Sequence, residues 1–268
     1  MSDRIWVDGR EQTMVSARDR GLQYGDGLFE TMAVIDGQIR HLRYHLERLL
    51  SGCARLGIEG VDQAQMTQEL VEQSRAVTRG VLKLIITRGI GARGYRPPAT
   101  SEPTRIASLS DWPNHSPEWA AAGVAVRYCR TPLGENPILA GLKHLNRLEQ
   151  VLARSEWSDP TIAEGLTLDG AGHIIGGTMT NVFIVQRRVL LTPRVDRCGV
   201  AGVMRRTVLE AAQRLGIEAR ECTLARTDIE SADEVFLTNA LIGIWPVRAI
   251  ERRSFSLGAV ARELLQAL

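Results

Sequence analysis

The 268-residue sequence predicts a mixed fold in two parts, an α+β part followed by an α/β part. Three observations carry that expectation. Near the start, two alternating segments each break at an Asp-Gly pair, the mark of a tight hairpin. A run rich in Pro and Ser, "SDWPNHSPEW", interrupts the chain and reads as a linker. Beyond it, short apolar strands alternate with amphipathic helices. The boundaries fall at 1–110 for the first part, 111–119 for the linker and 120–268 for the second.

The elements follow in order. "RIWVDGR" alternates and turns at Asp8-Gly9. "FETMAVIDGQIRHL" repeats the pattern and turns at Asp36-Gly37. A helix over 41–56 comes next, because Leu42, Leu46, Leu49 and Leu50 form one stripe and Gly57 closes it. A second helix covers 65–78, "GVLKLIITRG" is a buried strand, and "ASLSDW" ends another. In the second part "GVAVRYCRT" is a strand. A helix over 143–155 should turn Leu145, Leu148, Val151 and Leu152 inward. The strands "EGLTLD", "NVFIVQ" and "VLLTP", the helix "VMRRTVLEAAQRLG", the strand "ADEVFLTNA" and the helix "ARELLQAL" complete it.

Composition excludes several classes of function. Net charge is +2, with 44% apolar and 24% charged residues, ordinary for a soluble globular protein. Nothing there favours nucleic acid or a membrane surface as partner. "MSDRIWVDGREQ" is too polar for a secretory leader, and no apolar run approaches the ~20 residues of a membrane span. Cys53, Cys129, Cys198 and Cys222 are scattered without a CxxC, which predicts small core residues in a cytoplasmic protein. No metal is expected: His41 and His45 are four apart on a helix but lack a third ligand.

The basic residues are lopsided. Of 33, only Lys83 and Lys143 are lysine. A guanidinium binds anions but stays protonated, whereas a desolvated lysine amine can attack a carbonyl and form a Schiff base. Lys83 lies in the alternating strand "VLKLIIT" and is the weaker candidate, with a stem that packs and a head that reaches water. Lys143 in "NPILAGLKHLNRLEQ" follows a Gly-containing strand end. At the start of a helix it would aim into a cavity, with its amine pKa lowered by the helix terminus.

"LAGLKHLNRLEQVLAR" resembles the lysine segment of the fold-type IV pyridoxal-phosphate enzymes, the D-amino-acid aminotransferase-like superfamily. "DRGLQYGDGLFET" resembles that group's N-terminal signature and "HLERL" its phosphate-arginine helix. "GVLKLIITRGIGARGY", "CGVAGVMRR" and "NALIGIWPV" resemble the aminodeoxychorismate lyase branch in particular. The resemblance runs end to end. It implies a two-domain fold, bound pyridoxal 5'-phosphate, and a homodimer whose cofactor lies between the domains, with the pocket completed across the subunit boundary. It also implies conversion of 4-amino-4-deoxychorismate to 4-aminobenzoate and pyruvate, a step toward folate. A D-amino-acid or branched-chain aminotransferase of the same fold is the alternative reading, and an inactive cofactor-binding variant is another.

The resemblance also assigns residues. Lys143 is the catalytic amine and moves protons. Arg48, the Val203 and Met204 amides at a Gly-containing helix start, and the Asn239–Ala240 loop hold the phosphate. Arg93, Tyr95, Phe29 and Thr31 contact substrate, and Tyr24 and Glu30 share the pocket-lining segment. One position departs from the pattern. Five residues before Asn181 the group carries a glutamate for the pyridine nitrogen, and this chain has Gly176. The nearest acid upstream, Asp169, is seven residues earlier. A glycine cannot hold a proton on that nitrogen, which would make the cofactor a poorer electron sink, and three readings stand open: a mutated or engineered glutamate, a natural variant that tolerates the loss, or a substitute residue elsewhere.

Overall fold

A computed structural model describes residues 4–268, which divide into two compact units. The first runs to Asn114 and takes in the distant segment Leu142–Asn146. The second comprises His115–Gly141 and Arg147–Leu268.

The first unit contains β1 (Arg4–Val7), β2 (Arg10–Glu11), α1 (Arg20–Tyr24), β3 (Gly27–Ile35), β4 (Gln38–Ile39), α2 (Leu42–Leu56), α3 (Gln63–Ser74), β5 (Arg79–Thr87) and β6 (Arg105–Ser110). Its antiparallel sheet has the order β2-β1-β6-β5-β3-β4. Both Asp-Gly turns are present. Asp8 and Gly9 have φ of 52° and 78°, Asp36 and Gly37 have 49° and 76°, the left-handed pairs that a two-residue hairpin needs. Alternation gives the sheet a dry face. Leu28, Glu30, Met32, Leu82, Leu84 and Ala107 are buried on it. α2 packs on that face so closely that a Cβ on Gly52 would meet Leu28 at 2.7 Å. The other face keeps Phe29, Thr31 and Ile85 half-buried and Lys83 exposed. α3 starts two residues earlier than the apolar spacing predicts, because the Asp62 side chain accepts from the Ala64 and Gln65 amides and caps it. It also ends four residues sooner, at Ser74.

The second unit contains α4 (Glu118–Ala122), β7 (Val124–Tyr128), α5 (Leu148–Arg154), β8 (Ile162–Leu168), β9 (Ile174–Gly177), β10 (Asn181–Gln186), β11 (Val189–Pro193), α6 (Val203–Arg214), β12 (Ala219–Cys222), α7 (Arg226–Glu230), β13 (Glu234–Asn239), β14 (Gly243–Ile250), β15 (Arg253–Ser254) and α8 (Ala259–Ala267). Its mixed sheet runs β12-β11-β10-β13-β14-β7-β8-β9, with β15 on β14. Both faces are covered. Val182 and Leu237 join one apolar cluster, while Phe183 and Phe236 join another with Met204 and Val208 of α6 and Leu264 of α8. The two phenyl rings stack at 5.1 Å. That two-sided burial explains why "NVFIVQ" and "EVFLTN" read as continuous apolar runs.

Two expectations about the lysine segment need correction. The helix over 143–155 is only α5, Leu148–Arg154, so Lys143 lies five residues before it on irregular chain. The backbone there pairs elsewhere: Phe29 N–H donates to the Lys143 carbonyl at 2.9 Å, and Leu145 N–H to the Gly27 carbonyl at 3.0 Å. Nor does the leucine stripe point inward. Leu148, Val151 and Leu152 are 76%, 60% and 58% exposed, and Ala153 is the residue that packs.

Candidate active site

In the first unit the site is built on β3. Residues 143–145 lie along its free edge, with an isolated bridge between Leu28 and His144. Two glycines permit the approach. A Cβ on Gly25 would meet the Asn146 side chain at 2.6 Å, and one on Gly27 would meet Leu145 at 2.9 Å. Gly25 also has φ of 66°, which closes α1. Lys143 is thus fixed by its own backbone, and its Nζ sits 4.3 Å from the centroid of the Phe29 ring.

Behind Phe29, on the dry face, Glu30 binds two residues of α2. Arg48 Nε donates to its Oε1 at 2.7 Å and an Arg48 Nη to its Oε2, while His45 Nδ1 lies 2.6 Å from Oε2. His45 and Arg48 are three apart, hence on one helix face. Burial works to raise the Glu30 carboxyl, but Arg48 and His45 overcome it and hold the group below its ordinary range. Burial pushes His45 down, against the opposing pull of Glu30, and a proton on Nδ1 is what lets the ring donate to that carboxylate. Its Nε2 then has no hydrogen-bond partner among the described residues. Arg48, expected at a phosphate, is oriented by this carboxylate.

The N-terminal signature serves mainly to hold loops. Asp19 caps α1 and accepts from Thr87 and Thr104 at 2.9 and 2.7 Å. Asp26 binds Arg20 and Arg88, both at 2.8 Å, and the two guanidinia depress its carboxyl against the opposing effect of burial. Arg20 also donates to the Gly94 and Tyr95 carbonyls at 3.0 Å, and Tyr24 hydroxyl accepts from Gly94 N–H at 3.2 Å. Residues 94–95 are therefore tied down, with the Tyr95 ring 85% exposed and edge-on to Tyr24. Arg93 is exposed and lines a cleft with Arg18, Gln23, Tyr24 and Gly91.

In the second unit three loops meet at one end of the sheet. Gly202 caps α6 without a side-chain hydrogen bond, so the helix opens on bare amides at Val203 and Met204. A Cβ on Gly202 would lie 2.0 Å from Asn181 Oδ1. Asn181 Nδ2 donates to the Val200 carbonyl at 2.9 Å and anchors that loop. Asn239 Oδ1 accepts from the Leu241 and Ile242 amides, which shapes the turn containing Ala240, and its Nδ2 reaches the Met179 carbonyl at 3.4 Å. The turn 178–180 is organised by Glu164, a fully buried residue that sequence reasoning passed over. Its carboxylate accepts from the Gly165, Thr178 and Met179 amides and from the Thr178 and Thr180 hydroxyls. The signal was a lone acid inside the apolar strand "IAEGLTL". Gly176 lies buried in β9, and a Cβ there would meet the Thr180 carbonyl oxygen at 2.8 Å.

A fold of this kind, with a backbone-anchored lysine in one unit and an open helix terminus in the other, defines a class before it defines a reaction. The chain belongs to the class IV amino-transferase family, whose model matches residues 27–250. It is 38% identical over 264 residues to the aminodeoxychorismate lyase of Vibrio harveyi, across 97% of both chains. It is similar to the crystal structure of 4-amino-4-deoxychorismate lyase from Pseudomonas aeruginosa, with a TM-score of 0.95, 49% identity, and 98% and 97% of the two chains covered. A putative branched-chain-amino-acid aminotransferase of Methanocaldococcus jannaschii is 32% identical, over 93% of this chain and 88% of that one.

Proposed function

We propose that the chain is a pyridoxal-phosphate-dependent lyase that converts 4-amino-4-deoxychorismate to 4-aminobenzoate and pyruvate, a folate-pathway step. The observation that carries this reading is Lys143, one of two lysines in the chain, pinned by its backbone in a sequence that follows two lyases over nearly its whole length.

Each unit, taken by itself, offers a group that suits the cofactor. Lys143 is the amine that would hold its aldehyde carbon. The α6 terminus would present the Val203 and Met204 amides to an anion, and Gly202 leaves room beside it for the Asn181 side chain, which a Cβ would meet at 2.0 Å. In this reading the Val203 and Met204 amides, Arg48, Asn239 and Ala240 bind the phosphate. At the pyridine nitrogen the fit is looser: Gly176 offers no side chain, and Glu164 is already spent on five donors. Bound pyridoxal phosphate supplies an electron sink for a breaking carbon–hydrogen bond. With the substrate amine bound, the Lys143 amine would take the proton from the amine-bearing ring carbon. The neighbouring ring carbon–oxygen bond would then break, the enolpyruvyl group leaving as pyruvate enolate that takes up a proton at its methylene carbon, and aromatisation of the ring would drive the step. Arg93, which makes no ion pair with a described residue, receives a substrate carboxylate, with Tyr95, Phe29 and Thr31 beside it.

We place the enzyme in the cytoplasm as a homodimer. Among the described residues no helix is long and apolar enough to cross a membrane. The outward stripe Leu148, Val151 and Leu152 supports a partner of like composition.

The test is release of 4-aminobenzoate and pyruvate by the cofactor-loaded wild type, Lys143→Ala and Gly176→Glu. Equimolar products are expected from the wild type, with a loss of about 10²–10⁴-fold in Lys143→Ala. Gly176→Glu should give no gain, because its Cβ collides with the Thr180 carbonyl. A wild type that instead deaminates D-alanine and releases no pyruvate from aminodeoxychorismate sinks the lyase reading in favour of an aminotransferase.

A further inference from the structure

The segment that carries Arg93 is held on both sides by the residues that open α1. Upstream, Arg20 N–H donates to the Gly89 carbonyl at 2.9 Å, and Asp19 forms an isolated antiparallel bridge with Ile90. Downstream, the Arg20 side chain takes over. Its Nη1 donates to the Gly94 carbonyl and its Nη2 to the Tyr95 carbonyl, each at 3.0 Å. The Gly94 amide donates to the Tyr24 hydroxyl at 3.2 Å, and the Tyr95 ring meets that of Tyr24 edge-on at 5.5 Å. Gly91 packs on the Arg20 stem, where a Cβ would lie 2.7 Å from Cδ and 3.1 Å from Cγ. Ala92 and Arg93 are thus an exposed span between fixed points.

Arg20 can grip because it is itself immobile. It is 3% exposed, and its Nε donates to Asp26 Oδ2 at 2.8 Å. The same oxygen accepts from Arg88 Nε at 2.8 Å, and Asp26 Oδ1 accepts from an Arg88 Nη at 3.0 Å. Arg88 in turn donates to the Leu56 and Gly57 carbonyls at the end of α2, at 2.7 and 2.6 Å. The base of the grip is therefore tied to a helix terminus. Burial obliges a guanidinium to pair its donors, and two of the pairs fall on the carbonyls that follow Arg93. A fork with donors on three nitrogens can hold a carboxylate behind and two carbonyls ahead. A lysine ammonium in its place would keep the ion pair and lose that span.

We propose that Arg20 is a positioning residue for substrate binding: by holding the Gly94 and Tyr95 carbonyls against Asp26, it fixes the backbone from which Arg93 takes a substrate carboxylate. Arg20 touches neither substrate nor cofactor. This rests on the lyase reading, which gives the carboxylate to Arg93, and extends it to what holds that residue. Arg93 is a long side chain on an exposed span, and ordering its backbone in advance removes part of the entropy that binding would otherwise cost. The gain belongs to substrate affinity and not to proton transfer, so it falls on KM and leaves kcat.

Two measurements test it together: steady-state release of 4-aminobenzoate, and the rate of tryptic cleavage between Arg93 and Gly94. Both are made on cofactor-loaded wild type, Arg20→Lys and Gly91→Ala, and the kinetics are repeated in an Arg93→Gln background. Arg20→Lys keeps the charge beside Asp26 and gives up the carbonyls. Gly91→Ala pushes the segment off the Arg20 stem and changes no charge. Each should raise KM about 10-fold, with kcat within about threefold and the cofactor absorbance of the wild type. Each should also be cut faster at that bond. In the Arg93→Gln background neither should raise KM further, because residues that act through one another are not additive. An unchanged KM, a KM rise that persists without Arg93, or unaltered cleavage overturns the assignment, as does loss of cofactor in Arg20→Lys. If Arg20→Lys melts early, Gly91→Ala decides by the same KM criterion. A wild type that releases no 4-aminobenzoate removes the lyase reading, and the cleavage rates then decide whether Arg20 fixes the Arg93 segment.

Discussion

At the scale of single residues, Glu30 does more than its place in a signature suggests. It is a buried carboxylate with Arg48 and His45 as partners. Its folded pKa is depressed, so its stabilisation is present above the unfolded value, near 4.3, and is lost as pH falls through the folded one. His45 acts in the same direction over a higher range. Its folded pKa is also depressed, so below about pH 6.5 the unfolded chain takes up protons that the buried ring refuses. Glu30→Gln should therefore cost about 3 kcal/mol at pH 7.5, because it leaves Arg48 partly buried without its counter-charge. The deficit against wild type should shrink below about pH 4, read by urea unfolding at a series of pH values. A deficit that stays constant to pH 3 would show that charge pairing is not its source. Composition singled out one candidate: the scarcity of lysine pointed to Lys143. It could not reveal the Glu30 cluster or Glu164, because a buried acid is explained only by donors that arrive from other elements, here α2 and the turn 178–180. Nor could it explain Gly176, whose neighbour is a carbonyl four residues on.

At the scale of elements, local chemistry set what could be read. The Asp-Gly hairpins were legible because left-handed φ is demanded within two residues. α2 was legible because its stripe ends at Gly57, left-handed at φ 63°. β14 was not, since Pro246 sits inside it, tolerated beside a bulge between Val247 and Ala249. α5 shows how a correct pattern can mislead. Leu148, Val151 and Leu152 have true helical spacing, and periodicity says that a stripe is buried without saying against what. If the partner is a second copy, Leu148→Glu combined with Val151→Glu should convert the dimer to monomer in sedimentation equilibrium. The far-UV spectrum should not change, since the packed residue Ala153 is untouched. A double variant that sediments as wild type would place the interface elsewhere.

At the scale of the whole molecule, the division into units does not follow the chain. It passes from one unit to the other after Asn114, after Gly141 and after Asn146. A composition shift can mark the first passage, and the Pro- and Ser-rich run does lie there. The other two bracket five residues whose membership is decided by backbone pairing with Gly27 and Phe29, more than a hundred positions away. No local signal encodes that. The physical consequence is that the first unit is incomplete without a piece of the lysine segment. A fragment ending at Asn114 would leave the β3 edge at 27–29 with unpaired backbone groups, the arrangement that promotes strand addition and aggregation. Hydrogen exchange reads this directly. In the full chain the Phe29 amide donates to the Lys143 carbonyl and should be protected. In the fragment it should exchange orders of magnitude faster, while the Leu84 amide in the middle of the sheet stays slow. Adding residues 139–147 to the fragment through a flexible linker should restore protection at Phe29. A fragment whose Phe29 amide is as slow as in the full chain would mean that β3 holds its own edge closed. The lysine would then be carried on a segment that the sheet does not fix, and the backbone pairing could no longer explain how Lys143 is held in place.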